Sequence, residues 1–502
     1  MQKDLTHGNV QRTMLVFAGP MIVGNLLQQC YNIADTWVVG QFLGAGALAA
    51  VGAAYTLMTF LTSVLIGLCM GSGSVFSFYY GKGDKRKMQE SILASFLFIG
   101  IISVIVNIAV FAGMDLILKL LRIPEDIYTY MKEYVWVIFW GIFFVFLYNF
   151  FAYLLRAVGN SVTPLLFLAI ASVLNIILDL LFVVKWKMGV GGAAWATVIA
   201  QIISGVGIGC YLWKKEPELR FIGNGISLKE ACSKEVLPEV VRFSLAASVQ
   251  QSVMNFGILM IQGLINSFGT AVMAAYAAAV KIDSFAYMPA QEFSNSFSIF
   301  TSQNYGAKDE KRVKEGVRAA VKTSLIFCGI VSVLIFLFAR PLMLIFVKAT
   351  EVKVLQIGVQ YLRIEGAFYC GIGLLFLLYA YYRGTGKPEM SVVLTVISLG
   401  TRVLLAYTLA PLLGVRMIWW AIIIGWFLAD ITGVLYMNIN DLLTENQRYK
   451  IVELILKNDE EYSNLTNSHQ NLFYNNYAYN RNSHQHTYAI ISAFNVILKL
   501  KD

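Results

Sequence analysis

Twelve apolar segments recur along the chain, and each is long enough to cross a lipid bilayer as an α-helix. A hydrocarbon core of ~30 Å requires about 20 apolar residues in helical conformation. The segments lie at about 13–39, 48–77, 88–112, 127–155, 162–184, 190–213, 237–266, 270–300, 316–338, 352–382, 389–412 and 415–439. Only 14% of the 502 residues are charged, whereas soluble domains carry about 25%. The sequence therefore predicts an all-α membrane protein with twelve transmembrane helices, called spans 1–12 below.

Lysine and arginine are concentrated in alternate loops. They occur as "GKGDKRK" at 81–87, as scattered residues over 214–242, and as "GAKDEKRVK" at 306–314. The loops after spans 1 and 7 contain no charge. The positive-inside rule then places both termini in the cytoplasm of a multi-pass protein in the cell membrane. This bias also explains the formal net charge of +9, so no nucleic-acid partner is expected.

The remaining sequence features argue against a secreted protein, an enzyme and an ATP-driven pump. The first apolar segment is too long for a cleavable signal peptide. The six cysteines are scattered without metal or disulfide spacing, and the four histidines lie outside the spans. "GTGKPE" at 384–389 lacks two residues of a phosphate-binding loop and follows no strand. We expect no cofactor, and no metal other than a transported Na⁺.

The two halves of the chain repeat the same features in the same order. "YYGKGDKRK" at 79–87 aligns with "NYGAKDEKR" at 304–312 at an offset of 225 residues. At offset 227, Arg156 aligns with Arg383 and Gly159 with Gly386. Because each half has an even number of spans, the halves share one orientation, as in transporters built from parallel repeats. Two pseudo-symmetric six-helix lobes are therefore predicted.

The repeat divides the chain into four regions. We predict a first lobe at 1–213, a cytoplasmic inter-lobe loop at 214–236, a second lobe at 237–440 and a polar tail at 441–502. The tail is rich in asparagine, tyrosine and histidine, a composition that favours disorder. The chain is expected to act as a monomer.

Two acidic residues interrupt the first lobe at similar depth. Asp35 and Asp179 lie five and six residues from the outer ends of spans 1 and 5. Asn175 is one turn before Asp179 on the same helix face, and Thr197 reaches a comparable level in span 6. A charge in a membrane costs about 3 kcal/mol or more, so such residues face a cavity, pair or become neutral. The four residues offer oxygen ligands for Na⁺ or a proton. The alternative for Asp179 taken alone is a purely structural role, as a hydrogen-bond acceptor for a neighbouring helix.

These residues and several motifs together resemble the multidrug and toxic compound extrusion (MATE) transporters over about residues 10–440. The resemblance rests on the duplicated plan, the Asn175…Asp179 pair and four short motifs, "DTWVVG" at 35–40, "YGKGD" at 80–84, "RAVGN" at 156–160 and "QNYG" at 303–306. It implies that Asp35, Asn175, Asp179 and Thr197 form the cation site of the first lobe.

The resemblance also implies roles for Pro20 and Tyr31 in span 1. The chain departs from the family pattern in the acidic residues of its second lobe. Pro20 matches a proline around which span 1 is thought to bend, and prolines permit such kinks. Tyr31 matches a cavity-lining tyrosine. Some relatives carry acids in spans 7 and 10 of the second lobe. Here span 7 offers Gln250, Gln251 and Asn255, the middle of span 10 (370–378) has no acid, and Glu365, earlier in span 10, is predicted to lie at the rim. Coupling is therefore expected in the first lobe.

Other polar and adaptable residues in the spans are candidates for a substrate cavity. We predict that Tyr31, Gln251, Met254, Asp283, Tyr287 and Arg402 line it, since methionine and tyrosine suit varied apolar cations. The charged residues Lys281 and Asp283 have an alternative role in interhelical ion pairs that hold the second lobe together, with Arg402 as a candidate partner of Asp283. Asp430 in span 12 has the same two interpretations.

The favoured function is a secondary active antiporter working by alternating access of two lobes. It would export organic, often cationic, amphipathic compounds in exchange for H⁺ or Na⁺, with the small molecule and the bilayer as its partners. One alternative is a flippase for lipid-linked saccharides, which would need a strongly cationic cavity. Another is a membrane scaffold or receptor, which would not need the polar cluster.

Overall fold

The computed structural model describes residues 4–120, 125–221 and 225–442, and this part of the chain is helical without strands. The spans are Val10–Leu43, Ala45–Lys82, Lys85–Leu120, Glu125–Ala157, Val162–Lys185, Gly189–Lys215, Val236–Asn266, Thr270–Gly306, Glu310–Phe346, Val352–Gly384, Pro388–Leu413 and Arg416–Leu442. Span 4 contains a 3₁₀ turn at Phe139–Gly141, and span 5 ends in a π-helix at Leu180–Lys185.

Ten of these spans are single helices apolar and long enough to cross a membrane. Span 10 is the eleventh, because Val352–Gly366 and Tyr369–Gly384 meet at a bend of 52°. The twelfth, span 8, is not among these helices; it carries Lys281, Asp283 and Glu292 together with several serine, asparagine and glutamine residues. Span 8 packs on span 1, span 2 and spans 9 and 10, which shields much of its polar surface from lipid.

The duplication is visible in the backbone at the ends of the spans. Four positions with positive φ recur at offsets of 225 to 227 residues, in the pairs Gly44 and Gly269, Gly83 and Lys308, Gly159 and Gly386, and Gly189 and Gly414. Aspartates cap the helices that follow two of them, since Asp84 accepts from the Lys87 amide and Asp309 from the Arg312 amide. Corresponding turns thus have corresponding conformations. Spans 1–6 are called the first lobe below and spans 7–12 the second lobe.

The lobes meet tightly on the side of the basic loops, called the basic side below. Span 2 crosses span 7 through Gly67 and Gly71, a GxxxG pair where a methyl group would overlap the backbone of Ser248 and Phe243. Small residues allow such close helix contact in membranes. The Ser72 and Ser244 hydroxyls are 2.8 Å apart in this contact. The basic side is therefore closed between the lobes.

The segment before span 1 adds to this closure. Leu5 is fully buried in an apolar cluster with Phe17, Phe297 and other residues of spans 1, 8 and 10. Its amide donates to Gln303 Oε1 at 3.3 Å. The Arg312 guanidinium donates to the backbone carbonyls of Leu5, His7 and Gly8. Residues of the chain's amino-terminal segment are thus fixed to the second lobe.

Residues Met1–Gly433 form one compact unit, and a second begins at Val434. Only the end of span 12 is described in the second unit. The predicted tail, 441–502, lies outside the described residues apart from its first two positions.

Candidate functional site

The four residues predicted as a cation site lie together in the first lobe. Span 5 presents Asn175 and Asp179 on one face, and both are buried. Span 1 brings the Asp35 carboxylate within hydrogen-bonding reach of the Asp179 carboxylate. Span 6 places Thr197 beside Asn175. Residues far apart in sequence therefore form one polar cluster, as the equal depths of the two acids predicted.

Asn175 links the cluster through its amide group. We take the orientation in which its nitrogen donates to Asp179 Oδ2 at 3.2 Å and its oxygen accepts from Thr197 Oγ1 at 3.2 Å. The oxygen then also accepts from the Thr197 amide at 3.2 Å. In this orientation the amide nitrogen faces an acceptor and the amide oxygen faces donors. The hydrogen bonds to Thr197 link span 5 to span 6.

The two carboxylates retain unused acceptor capacity. Asp35 Oδ1 and Asp179 Oδ1 are buried, and neither has a hydrogen-bond partner among the described residues. Two adjacent carboxylates repel each other strongly in a low-dielectric environment, and a cation between them removes that repulsion. Buried oxygens without partners are rare in native proteins. The pair is therefore suited to hold a proton or a small metal cation.

The backbone is irregular directly beside this pair. The α-helix of span 5 ends at Asp179, and the π-helix Leu180–Lys185 continues it. Insertions of this kind widen a helix by one residue per turn and are frequent at functional sites. Nothing in the sequence marked this change of helix type, because its residues are uniformly apolar up to Lys185.

A cavity of about 400 Å³ lies against the cluster. Asp35, Asn175 and Thr197 form part of its wall, while Asp179 is fully buried behind it. Most of the lining comes from spans 1, 2, 4, 5 and 6, and span 7 of the second lobe contributes Gln251, Met254 and Asn255. Of the predicted cavity residues, Tyr31, Gln251 and Met254 line it.

Asp283, Tyr287 and Arg402 do not line this cavity. Asp283 is instead 4% exposed and accepts hydrogen bonds from two tyrosines of span 10. The assignment of these three residues to the substrate cavity stays a prediction. The rim position predicted for Glu365 is wrong, since this residue is 4% exposed. Pro20 lies inside the helix of span 1, and its role in bending remains a prediction.

Several cavity residues were missed in the sequence. Span 1 contributes Gln28 and Asn32, which with Tyr31 and Asp35 follow the i, i+3, i+4, i+7 spacing of one helix face. This polar stripe in an apolar helix was the signal that could have identified them. Other missed lining residues include Tyr55, Tyr134, Tyr148 and Gln201, which come from three other spans and share no sequence pattern.

The sequence profile of the MatE family matches residues 20–181 and, a second time, residues 246–408. The chain belongs to the MatE family. The second match begins near the repeat offset found in the sequence, so the family repeat and the internal repeat coincide. MatE proteins are transporters, and the chain is accordingly a transporter and not an enzyme.

Similar curated proteins include two from Bacillus subtilis. The probable multidrug resistance protein YpnP is 31% identical, over 79% of this chain and 87% of its own length. The probable multidrug resistance protein YoeA is 27% identical, over 80% of this chain and 87% of its own length. The sequence resemblance stated above is therefore confirmed at the level of the family.

Solved structures share the fold. A MOP superfamily transporter from Pyrococcus furiosus matches with a TM-score of 0.80 at 24% identity, and the match covers 87% of this chain and 97% of that one. At this identity the likeness concerns the fold alone. It confirms the predicted all-α architecture of twelve spans in two lobes.

Thr197→Val tests the geometry around Asn175. Valine keeps the shape of threonine and removes one hydrogen bond, which contributes about 1 kcal/mol. We expect the concentration of coupling cation that gives half-maximal efflux to rise ~5-fold. Thr197→Ser keeps the hydroxyl and should behave like wild type. Equal values for valine and wild type would show that this hydroxyl does not support the cluster.

Proposed function

We propose that this MatE protein is a secondary active antiporter of the cell membrane. It exports organic, often cationic, amphipathic compounds in exchange for H⁺ or Na⁺. The observation that carries the proposal is the contact of the Asp35 and Asp179 carboxylates at the wall of a cavity large enough for a small molecule. A cation and a substrate can then compete for one region of the protein, which is the basis of exchange.

The packing of the lobes supports an alternating-access mechanism. The basic side is closed by spans 2 and 7, and the cavity lies beyond this contact. With the basic loops in the cytoplasm, as the positive-inside rule requires, the cavity belongs to an outward-facing state. We infer that cation binding from outside stabilises one arrangement of the lobes and substrate binding the other. Both termini are then cytoplasmic, and one chain suffices.

The chemistry of the cavity favours organic cations over anions. Its lining includes Asp35, several tyrosines, and Met58 and Met254, but no lysine or arginine among the described residues. Aromatic rings attract cations, and methionine adapts to different shapes. A flippase for lipid-linked saccharides would need positive charge facing a pyrophosphate, which this lining does not offer.

Vesicle transport under imposed gradients tests the proposal. Purified protein in proteoliposomes should move ethidium against its gradient when a proton or sodium gradient of the right direction is applied, and ATP should have no effect. Applying each gradient alone identifies the coupling ion. Liposomes without protein serve as the control. Ethidium movement that is identical with and without either gradient would contradict antiport.

A further inference from the structure

A second group of buried ionisable side chains lies in the second lobe, away from the cavity lining. Asp283 on span 8 and Glu365 on span 10 are each 4% exposed. The Tyr369 hydroxyl donates to Asp283 Oδ1 at 2.5 Å, and the Tyr361 hydroxyl donates to Oδ2 at 3.4 Å. Arg402 on span 11 lies close enough to both carboxylates to interact with them electrostatically. These five residues are called the second-lobe cluster.

Span 10 is broken at this cluster. Glu365 is the penultimate residue of the helix Val352–Gly366, and Tyr369 begins the helix Tyr369–Gly384 after the 52° bend. Broken helices at membrane depth are found where the backbone is buried in protein or lines a polar site, and they commonly mark ion sites in transporters. The bend allows Glu365 and Tyr369 to approach Asp283 from one span.

Some buried polar atoms around the cluster make no hydrogen bond to any described residue. Glu365 Oε2, Arg402 Nε and Trp419 Nε1 are buried without a hydrogen-bond partner in the described part of the chain. Trp419 is fully buried, and its ring centroid is 4.8 Å from that of Tyr361. Buried polar groups almost always have partners. Of these three atoms only Glu365 Oε2 is an acceptor, so it is the atom of the cluster that can take up a proton.

We propose that the pair of Asp283 and Glu365 holds one exchangeable proton. Glu365 carries this proton, and Asp283 is ionised. The short hydrogen bond from the Tyr369 hydroxyl suits an ionised Asp283, while the Tyr361 hydroxyl lies within reach of both carboxylates. The positive charge of Arg402 and the few remaining oxygens disfavour a metal cation, which needs several oxygen ligands. Asp283 and Arg402 then balance each other, and protonated Glu365 is neutral. When the proton passes to water, a Glu365 carboxylate remains and the cluster gains one negative charge.

The role of this site in coupling rests on the proposed antiport function. In that function the proton at Glu365 is exchanged in addition to the cation at the first-lobe pair. The presence of the proton itself does not depend on transport. Infrared spectroscopy can therefore test it in purified, full-length protein in lipid nanodiscs, through the C=O absorption of protonated carboxyl groups.

We expect the difference spectrum between wild type and Glu365→Gln to contain the absorption of one carboxylic acid. Asp283→Asn should lose the same absorption, because Arg402 is then left with Glu365 as its only acidic partner in the cluster and keeps it ionised. Glu315→Gln, at an exposed position, should leave the spectrum unchanged. An unchanged spectrum in Glu365→Gln overturns the proposal, and so does an absorption lost in Glu365→Gln but kept in Asp283→Asn.

Isotope labelling covers the case in which a variant does not fold. Glutamate labelled with ¹³C at the side-chain carboxyl carbon should shift the absorption in unaltered protein, and the absence of any shifted carboxylic acid signal contradicts a protonated Glu365. In proteoliposomes, Glu365→Gln should exchange fewer protons per ethidium than wild type. If wild type moves no ethidium while the infrared results hold, the antiport proposal fails and the proton site stands.

Discussion

Asp35→Asn and Asp179→Asn are each expected to reduce gradient-driven efflux to the level of protein-free vesicles. Asparagine has nearly the same size as aspartate and keeps one oxygen, but it cannot ionise. Each substitution therefore removes the close pair of acidic groups that we propose as the cation site at the cavity wall. A cation at this site then has no preference for one arrangement of the lobes, and exchange that requires its binding in every cycle stops.

The substitutions should leave folding and substrate binding largely intact. Asp35→Asn should still bind ethidium, measured by fluorescence in detergent, since Tyr31, Gln251 and Met254 remain in the cavity wall. Asp115→Asn is a matched control, because this aspartate is exposed and pairs only with Lys132 and Tyr128 among its described contacts. Wild-type efflux in both first-lobe variants would eliminate the pair as the coupling site.

Much of the first-lobe site was predictable because depth in a membrane can be estimated from sequence. A regular rise per residue places Asp35 and Asp179 at one level, and helix periodicity places Asn175 on the same face as Asp179. The turns were predictable through the repeat, since Gly44 and Gly269 occupy equivalent positive-φ positions. These inferences use only local geometry and the constraints of the bilayer.

The second lobe was less predictable because its geometry depends on a break in a helix. In a continuous span 10, Glu365 would lie toward the outer end of the helix, and this placement led to the predicted rim position. The bend after Gly366 instead buries Glu365 beside Asp283. "RIEGAFYCG" at 363–371 contains no proline, and Gly366, where the first helix ends, would bring a Cβ within 2.7 Å of Ile335, a packing contact that the sequence does not reveal. At the repeat offsets Asp35 and Asp179 align with Met260 and Ala406, whereas Asp283 and Glu365 lie on other spans, so the repeat gives no indication of these two acids.

A disulfide between Ser72→Cys and Ser244→Cys should abolish efflux in the double variant. The two hydroxyl oxygens are 2.8 Å apart across the contact between spans 2 and 7, so cysteine sulfurs at these two positions can meet. Alternating access requires the lobes to separate on the basic side in half of the cycle. A covalent link at this point holds the protein in the closed arrangement, with its cavity reachable only from the other side.

Mild oxidation should therefore reduce ethidium efflux to background, and reduction with dithiothreitol should restore it. Each single cysteine variant controls for reaction with the native thiols, of which Cys69 lies one turn before position 72 and is buried. Ethidium should still bind to the cross-linked protein, because the cavity lies beyond the cross-link. Substantial efflux from fully cross-linked protein would mean that spans 2 and 7 stay together throughout transport, and the lobes would then have to move about a different contact.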